Sequence, residues 1–232
     1  MISQIKFSVP ACTYLRDPQE TKLGVLLMQS SVELIDEIGF EAFTFKKLAI
    51  KINSTEASVY RYFENKHQLL LFLYAWYWNW MNYRLQQETY NIVSISEKLE
   101  IAVHLLVGKT EDDPQTPFIN EEKLKRIIEQ EGIKSILSKN VDGVNTEGAF
   151  EDYKQLVEKL AGWIHLLNPQ FPYPNMLVST IIEGAHLQHY FAEHLPRLTN
   201  KNTTTDNVTG FFSFLLHSLI LTPNNNIHGN SH

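Results

Sequence analysis

The chain of 232 residues carries 20 Lys and Arg against 26 Asp and Glu, a net charge of −6 with its nine His neutral. Hydrophobic residues make up 44% and aromatics 12%, which is ample for a packed core and excludes a disordered chain. A negative balance also argues against a protein that coats nucleic acid or an anionic membrane, because both need a general excess of cations.

The single cysteine, Cys12, stands between Pro10 and Pro18 and cannot form an internal disulfide, which points to a reducing compartment. No helix start surrounds it to lower its pKa, so it is a poor nucleophile. The first residues lack the uninterrupted apolar stretch of a secretory signal. The longest apolar run, Leu69 to Trp78, is ten residues and too short to span a bilayer. A cytoplasmic protein without membrane partners is expected.

From Thr21, the positions Leu23, Leu26, Leu27, Leu34, Ile35 and Ile38 form one stripe of a helix that Gly39 stops. Thr44 caps a second helix, with Phe45, Leu48, Ala49 and Ile52 on one face, and Asn53-Ser54 breaks it. Thr55 caps a third, Glu56 to about Phe63, in which the helical period turns Ala57, Tyr60 and Phe63 inward and Ser58, Arg61 and Tyr62 elsewhere. A long helix from Lys66 to about Glu88 is apolar all round between Leu69 and Met81, and so must be buried on most sides.

Further helices are predicted at about Ser96–Val107, Asn120–Gln130, Gly148–Leu167, Asn175–His194 and Asp206–Leu221. Pro-containing connectors separate them, and Asn140 to Glu147 reads as a polar loop. No alternating strand stands out, so the fold class is all-α. Four segments are expected: an N-terminal extension over 1–19, a helical trio over 20–68, a helical bundle over 69–222 and a flexible tail over 223–232.

Resolved along the chain, the charge is uneven. Residues 1–90 hold nine Lys or Arg and nine Asp or Glu, so the whole excess of acid lies beyond them. Within 44–66, Lys46, Lys47, Lys51, Arg61 and Lys66 face only Glu56 and Glu64, a local net of +3. The basic stretch coincides with two short helices joined by a tight turn, the arrangement that lays a second helix in the DNA major groove. Thr44, Thr55 and the helix starts behind them can present N–H groups to phosphates, with Lys46, Tyr60 and Lys66 adding side-chain contacts. Ser58 and Arg61 are candidates to reach base edges.

The stretch Gly39-Phe40-Glu41-Ala42-Phe43-Thr44-Phe45-Lys46-Lys47-Leu48-Ala49, followed by Asn53-Ser54-Thr55-Glu56-Ala57-Ser58-Val59-Tyr60-Arg61-Tyr62-Phe63-Glu64-Asn65-Lys66-His67-Gln68-Leu69-Leu70, resembles the DNA-binding domain of the TetR family of transcriptional regulators. The shared pattern is a Gly, a Thr-capped helix with an aliphatic-Ala pair, a tight turn, a Tyr-x-x-Phe helix and a Lys-x-x-Leu start. The resemblance covers Thr21 to Leu70. It implies that Thr44, Tyr60 and Lys66 contact phosphates, that the helix from Thr55 reads the groove, and that Leu48 and Phe63 hold the trio together. Asn53 stands where the family usually has Gly, and Asn tolerates the left-handed conformation. Glu56 is a further departure: its carboxylate repels phosphate unless it accepts a hydrogen bond from a cytosine amino group.

Beyond the trio, Tyr74, Trp76, Tyr77, Trp78, Trp80 and Met81 read either as the wall of a ligand pocket or as core or interface packing. His186, His189 and His194 follow helical spacing, but the pattern favours packing over metal ligation. No metal or cofactor is expected, and no nucleophile, phosphate loop or Cys cluster points to an enzyme. The apolar run at Phe211, Phe212 and Leu215, with His186, His189 and Tyr190, is a candidate dimer surface. The resemblance implies a homodimer on a palindromic operator of double-stranded DNA, most simply a repressor released by a small-molecule effector. The alternative is a helical small-molecule or metal-binding protein or enzyme whose N-terminal trio is structural.

Overall fold

The computed structural model describes residues 5–136, 139–200 and 206–220, and the regular elements among them are all helices, without a strand. The helices are α1 Lys22–Ile38, α2 Phe45–Lys51, α3 Glu56–Tyr60, α4 Lys66–Thr89, α5 Ile95–Val107, α6 Glu121–Ile136, α7 Val141–Thr146, α8 Glu151–Leu167, α9 Pro174–His194 and α10 Asn207–Ile220. The expected tail over 223–232, and Leu221 at the end of the last predicted helix, lie outside the described residues. Two compact units emerge: Met1–Gln87 with Lys109–Leu156, and Glu88–Gly108 with Val157–His232.

In the first unit the trio is closed by the predicted caps. Thr21 accepts the Gly24 N–H, Thr44 the Lys47 N–H and Thr55 the Ser58 N–H, at 3.0, 3.2 and 3.3 Å. Gly39, at φ +76°, ends α1, and its N–H donates to the Ile35 carbonyl. Gly24 is required for a different reason: a Cβ there would lie 2.2 Å from the Pro18 carbonyl oxygen, so α1 starts in direct contact with the turn Pro18–Glu20.

The inward face of α3 differs from the predicted one. Val59, Tyr62 and Phe63 are buried, whereas Ala57 and Tyr60 are exposed. The helix spans only five residues, so Tyr62 follows turn geometry rather than the helical period, and its hydroxyl meets the Thr21 hydroxyl at 2.7 Å. The N-terminal segment is also built in. Phe7 and Val9 are buried, Gln19 exchanges two hydrogen bonds with the Phe7 backbone, and the Leu15 N–H donates to the Tyr62 carbonyl.

Helix α4 is buried from Leu69 to Trp78, as its all-round apolarity demands. Against α1 packs α6, where Arg126 reaches both carboxylate oxygens of Asp36 at 2.9 and 3.1 Å. The connector before α6 is held by carboxylates. Glu121 is fully buried, accepts the Asp113 N–H at 3.0 Å and is bonded by the Thr116 hydroxyl. Asp113 accepts the Trp80 indole N–H at 3.1 Å. Burial pushes the Glu121 carboxyl up to about 7. The predicted polar loop over Asn140–Glu147 instead contains α7, a six-residue helix with no buried residue and hence no apolar stripe to betray it.

In the second unit, α5, α9, α10 and the later turns of α8 share an apolar interior lined by Leu99, Leu106, Leu160, Ile164, Ile181 and Leu216, with a residual void of about 20 Å³. Polar ties join the same helices: a His189 ring nitrogen lies 2.7 Å from the Val107 carbonyl, and Glu100 accepts from Ser213 at 2.8 Å and meets His217 at 2.9 Å. Among the described residues no helix is long and apolar enough to cross a membrane.

Candidate nucleic-acid interface

Five cations lie in the stretch 44–66, and the structure divides them by what they already hold. Lys51 pairs with Glu33 at 3.4 Å, and Lys47 donates to the Ala42 carbonyl at 2.8 Å. Lys66 is turned back into the trio: its ammonium donates to the carbonyls of Phe40 and Glu41 at 3.0 and 3.2 Å and lies over the Phe40 ring. It therefore staples the start of α4 to the loop after α1 and keeps one N–H donor in reserve. Lys46 and Arg61 are exposed and have no partner among the described residues.

Around the short reader helix α3, Thr55, Glu56, Tyr60 and Arg61 are exposed and Ser58 is half-buried. The Thr55 and Ser58 hydroxyls lie 2.9 Å apart, so each is oriented by the other. Tyr60 rests its ring edge-on against Phe45, with centroids 5.1 Å apart, and leaves its hydroxyl outward on a side chain 47% exposed. Thr44, at the start of α2, is exposed beside Lys46. Asn53 occupies the left-handed region at φ +50°, so the turn between α2 and α3 keeps the geometry a glycine would supply.

The other expected site residues are placed differently. Tyr74, Trp76, Tyr77, Trp78, Trp80 and Met81 are at most 2% exposed, with Tyr77 and Trp78 packed ring to ring at 5.1 Å and Trp76 against Phe7 at the same distance. They form the core of the first unit. In the second unit His186 and Phe212 are buried, His189 is tied to α5, and Leu215 is partly covered. Tyr190 and Phe211 are exposed, together with Leu187 and Phe214. Among the described residues no three His, Cys, Asp or Glu side chains group to hold a metal ion.

Residues 27–73 match the family model described as bacterial regulatory proteins, tetR family. The matched stretch takes in most of the trio and the first turns of α4, and this part of the chain is similar to the helix-turn-helix domain of that family. The fold is similar to that of AibR in complex with isovaleryl coenzyme A and operator DNA, at 14% identity and a TM-score of 0.56, over 84% of this chain and 96% of that one. Apo AibR gives 15% and 0.53 over 84% and 97%. The fatty acid degradation regulator FadR from Bacillus halodurans gives 15% and 0.57 over 87% and 95%. No curated relative matches the chain by sequence.

Proposed function

We propose that the protein is a ligand-responsive transcriptional repressor that binds a palindromic operator as a homodimer. The observation that carries this reading is the reader surface itself: α3 and its flanks expose Thr55, Glu56, Tyr60 and Arg61, with Lys46, which has no partner among the described residues, behind Thr44. Thr44, Thr55, Lys46, Tyr60 and the remaining donor of Lys66 serve as phosphate contacts, which fix register without reading sequence. Arg61 and Ser58 read base edges, and Glu56 selects a cytosine amino group.

The exposed apolar residues of α9 and α10, Leu187, Tyr190, Phe211 and Phe214, supply the self-complementary surface that a twofold dimer needs. AibR, whose structure holds an acyl-coenzyme A and operator DNA together, supports the view that a fold of this kind carries both an effector and an operator. The test is fluorescence anisotropy of the purified protein on DNA selected from random sequence. Two chains should bind each selected palindrome, with affinity falling steeply as salt rises. Absence of salt-dependent binding to any selected DNA overturns the reading.

A further inference from the structure

A cavity of about 390 Å³ lies inside the first unit, where the first turns of α4 meet the end of α6, helix α7 and the turn at Cys12. Its size is that of a small-molecule site. The aromatic core of α4 is not its wall. Leu70, Leu71 and Val144 supply apolar surface, and Ser135 faces the cavity from α6. Ser135 is only 9% exposed, and its hydroxyl has no hydrogen-bond partner among the described residues. A buried hydroxyl without a partner forfeits the hydrogen bonds it would make in water, so an occupant that supplies one gains that energy on binding.

The charges around the cavity select the occupant. Lys134 and His67 are the lining residues able to carry positive charge, but Glu41 and Glu131 hold the Lys134 ammonium at 2.7 and 2.6 Å, so its charge is offset, and the His67 ring packs against Phe40. Glu64 and Glu147 line the rim with exposed carboxylates that have no partner among the described residues. The last turn of α6, the negative end of its dipole, borders the same space. The opposing positive end of α4 is partly closed from within: Asn65 accepts the Gln68 N–H at 2.9 Å, and Gln68 accepts the Glu64 N–H at 2.7 Å. Each of these features disfavours an anion and favours a cation with an apolar body.

We propose that this cavity is an effector site for a small organic cation, and that occupancy fixes the start of α4 against α6 and α7 and so lowers operator affinity. The inference rests on the repressor reading above. The lever is short. Residues 61–65, among them Glu64 and Asn65, join the reader helix to α4, and Gln68 ties that junction to the Cys12 carbonyl at 3.3 Å. A ligand that prefers one arrangement of this junction must shift DNA affinity by the factor by which DNA shifts its own.

Three probes of one shape and different charge test it on the full chain: phenethylamine, 2-phenylethanol and phenylacetate, followed by calorimetry with a parallel operator-anisotropy titration. Phenethylamine should bind one site per chain, at least tenfold tighter than phenylacetate, and should weaken operator binding at least fivefold. The doubly substituted Glu64→Gln, Glu147→Gln protein, altered only at exposed positions, should lose the preference for the amine. Ser135→Leu should fill the cavity and abolish binding, with its thermal midpoint checked against the parent. No saturable amine binding, equal affinity for amine and acid, binding unchanged in the double variant, or amine binding without effect on the operator would each overturn the proposal. If operator binding stands while the amine does not bind, only this inference falls. If no DNA is bound at all, the repressor reading falls, and calorimetry still decides the site.

Discussion

The reader trio and the connector that precedes α6 are both held by polar groups in the same compact unit, and they are held in opposite ways. In the trio, neutral hydroxyls of Thr21, Thr44 and Thr55 cap helices at or near the surface, and the interior is apolar: Leu48, Val59 and Phe63 are fully buried. In the connector, the carboxylates of Asp113 and Glu121 are themselves buried and take hydrogen bonds from Trp80, Thr116 and the backbone. A surface built on neutral caps keeps its shape while pH and salt vary, leaving its charges for a partner. One built on buried carboxylates makes its stability depend on protonation.

The largest expected effect tests the apolar half of this contrast. Phe63→Ala removes a fully buried ring that meets Phe72 at 5.5 Å, and should cost about 3–5 kcal/mol in denaturant unfolding, together with DNA binding. A loss under 1 kcal/mol would mean the trio is not closed by its core. Next in size, Arg61→Ala leaves stability unchanged because the side chain is exposed and has no partner among the described residues, yet should cost about 1–3 kcal/mol on the selected operator and relax preference at one base pair. Tyr60→Ala should weaken all sequences alike. Competition anisotropy on single-base variants separates the two, and uniform loss for Arg61→Ala would remove it from base readout.

The two regions also differ in how far they could be read from sequence. Caps, the Gly39 stop and the Asn53 turn are local signals, each decided within four residues, so the trio and its reader helix were legible. The inward face of α3 was misjudged because a helix of five residues ends before a period can be established, and Tyr62 belongs to the turn. Lys66 looked like a free phosphate contact because its acceptors, the Phe40 and Glu41 carbonyls, lie about 25 residues away in sequence. The same limit hid the buried pairing of Gln19 with Phe7, twelve residues apart. Helix α7, with no buried residue, carries no stripe that periodicity could detect, and with it went the cavity it helps to close.

The connector makes the sharpest pH prediction. The Glu121 carboxyl ordinarily titrates near 4.5, and burial raises it to about 7. The folded state therefore binds more protons than the unfolded one between these values. The contribution of this group to stability should be largest below about 4.5, fall as pH rises through the interval, and lose no more above 7. Glu121→Gln, neutral throughout, should flatten that part of the profile in urea unfolding, while Thr44→Ala, which removes a neutral cap, should lower stability equally at every pH. A Glu121→Gln profile as steep as the parent's would place the pH dependence elsewhere and blur the contrast between the regions.

The smallest effect lies at the turn between α2 and α3. Asn53 sits at φ +50°, its N–H donating to the Ile50 carbonyl while the Ser54 N–H returns to Ala49 at 2.8 Å. A β-carbon in this conformation crowds the following carbonyl and costs about 1–2 kcal/mol in an ordinary residue, less in Asn, and nothing in Gly. Asn53→Gly relieves the residual strain but enlarges the unfolded ensemble, so the two terms oppose and stability should change by about 0.5 kcal/mol or less. Asn53→Ala keeps the strain without the side-chain amide and should lose about 1 kcal/mol. Because the turn sets the angle at which α3 leaves α2, Asn53→Gly should bind the operator as the parent does. If Asn53→Ala matched the parent in both unfolding and operator affinity, the turn would have relaxed out of the left-handed region. The trio would then owe its geometry to packing rather than to local signals.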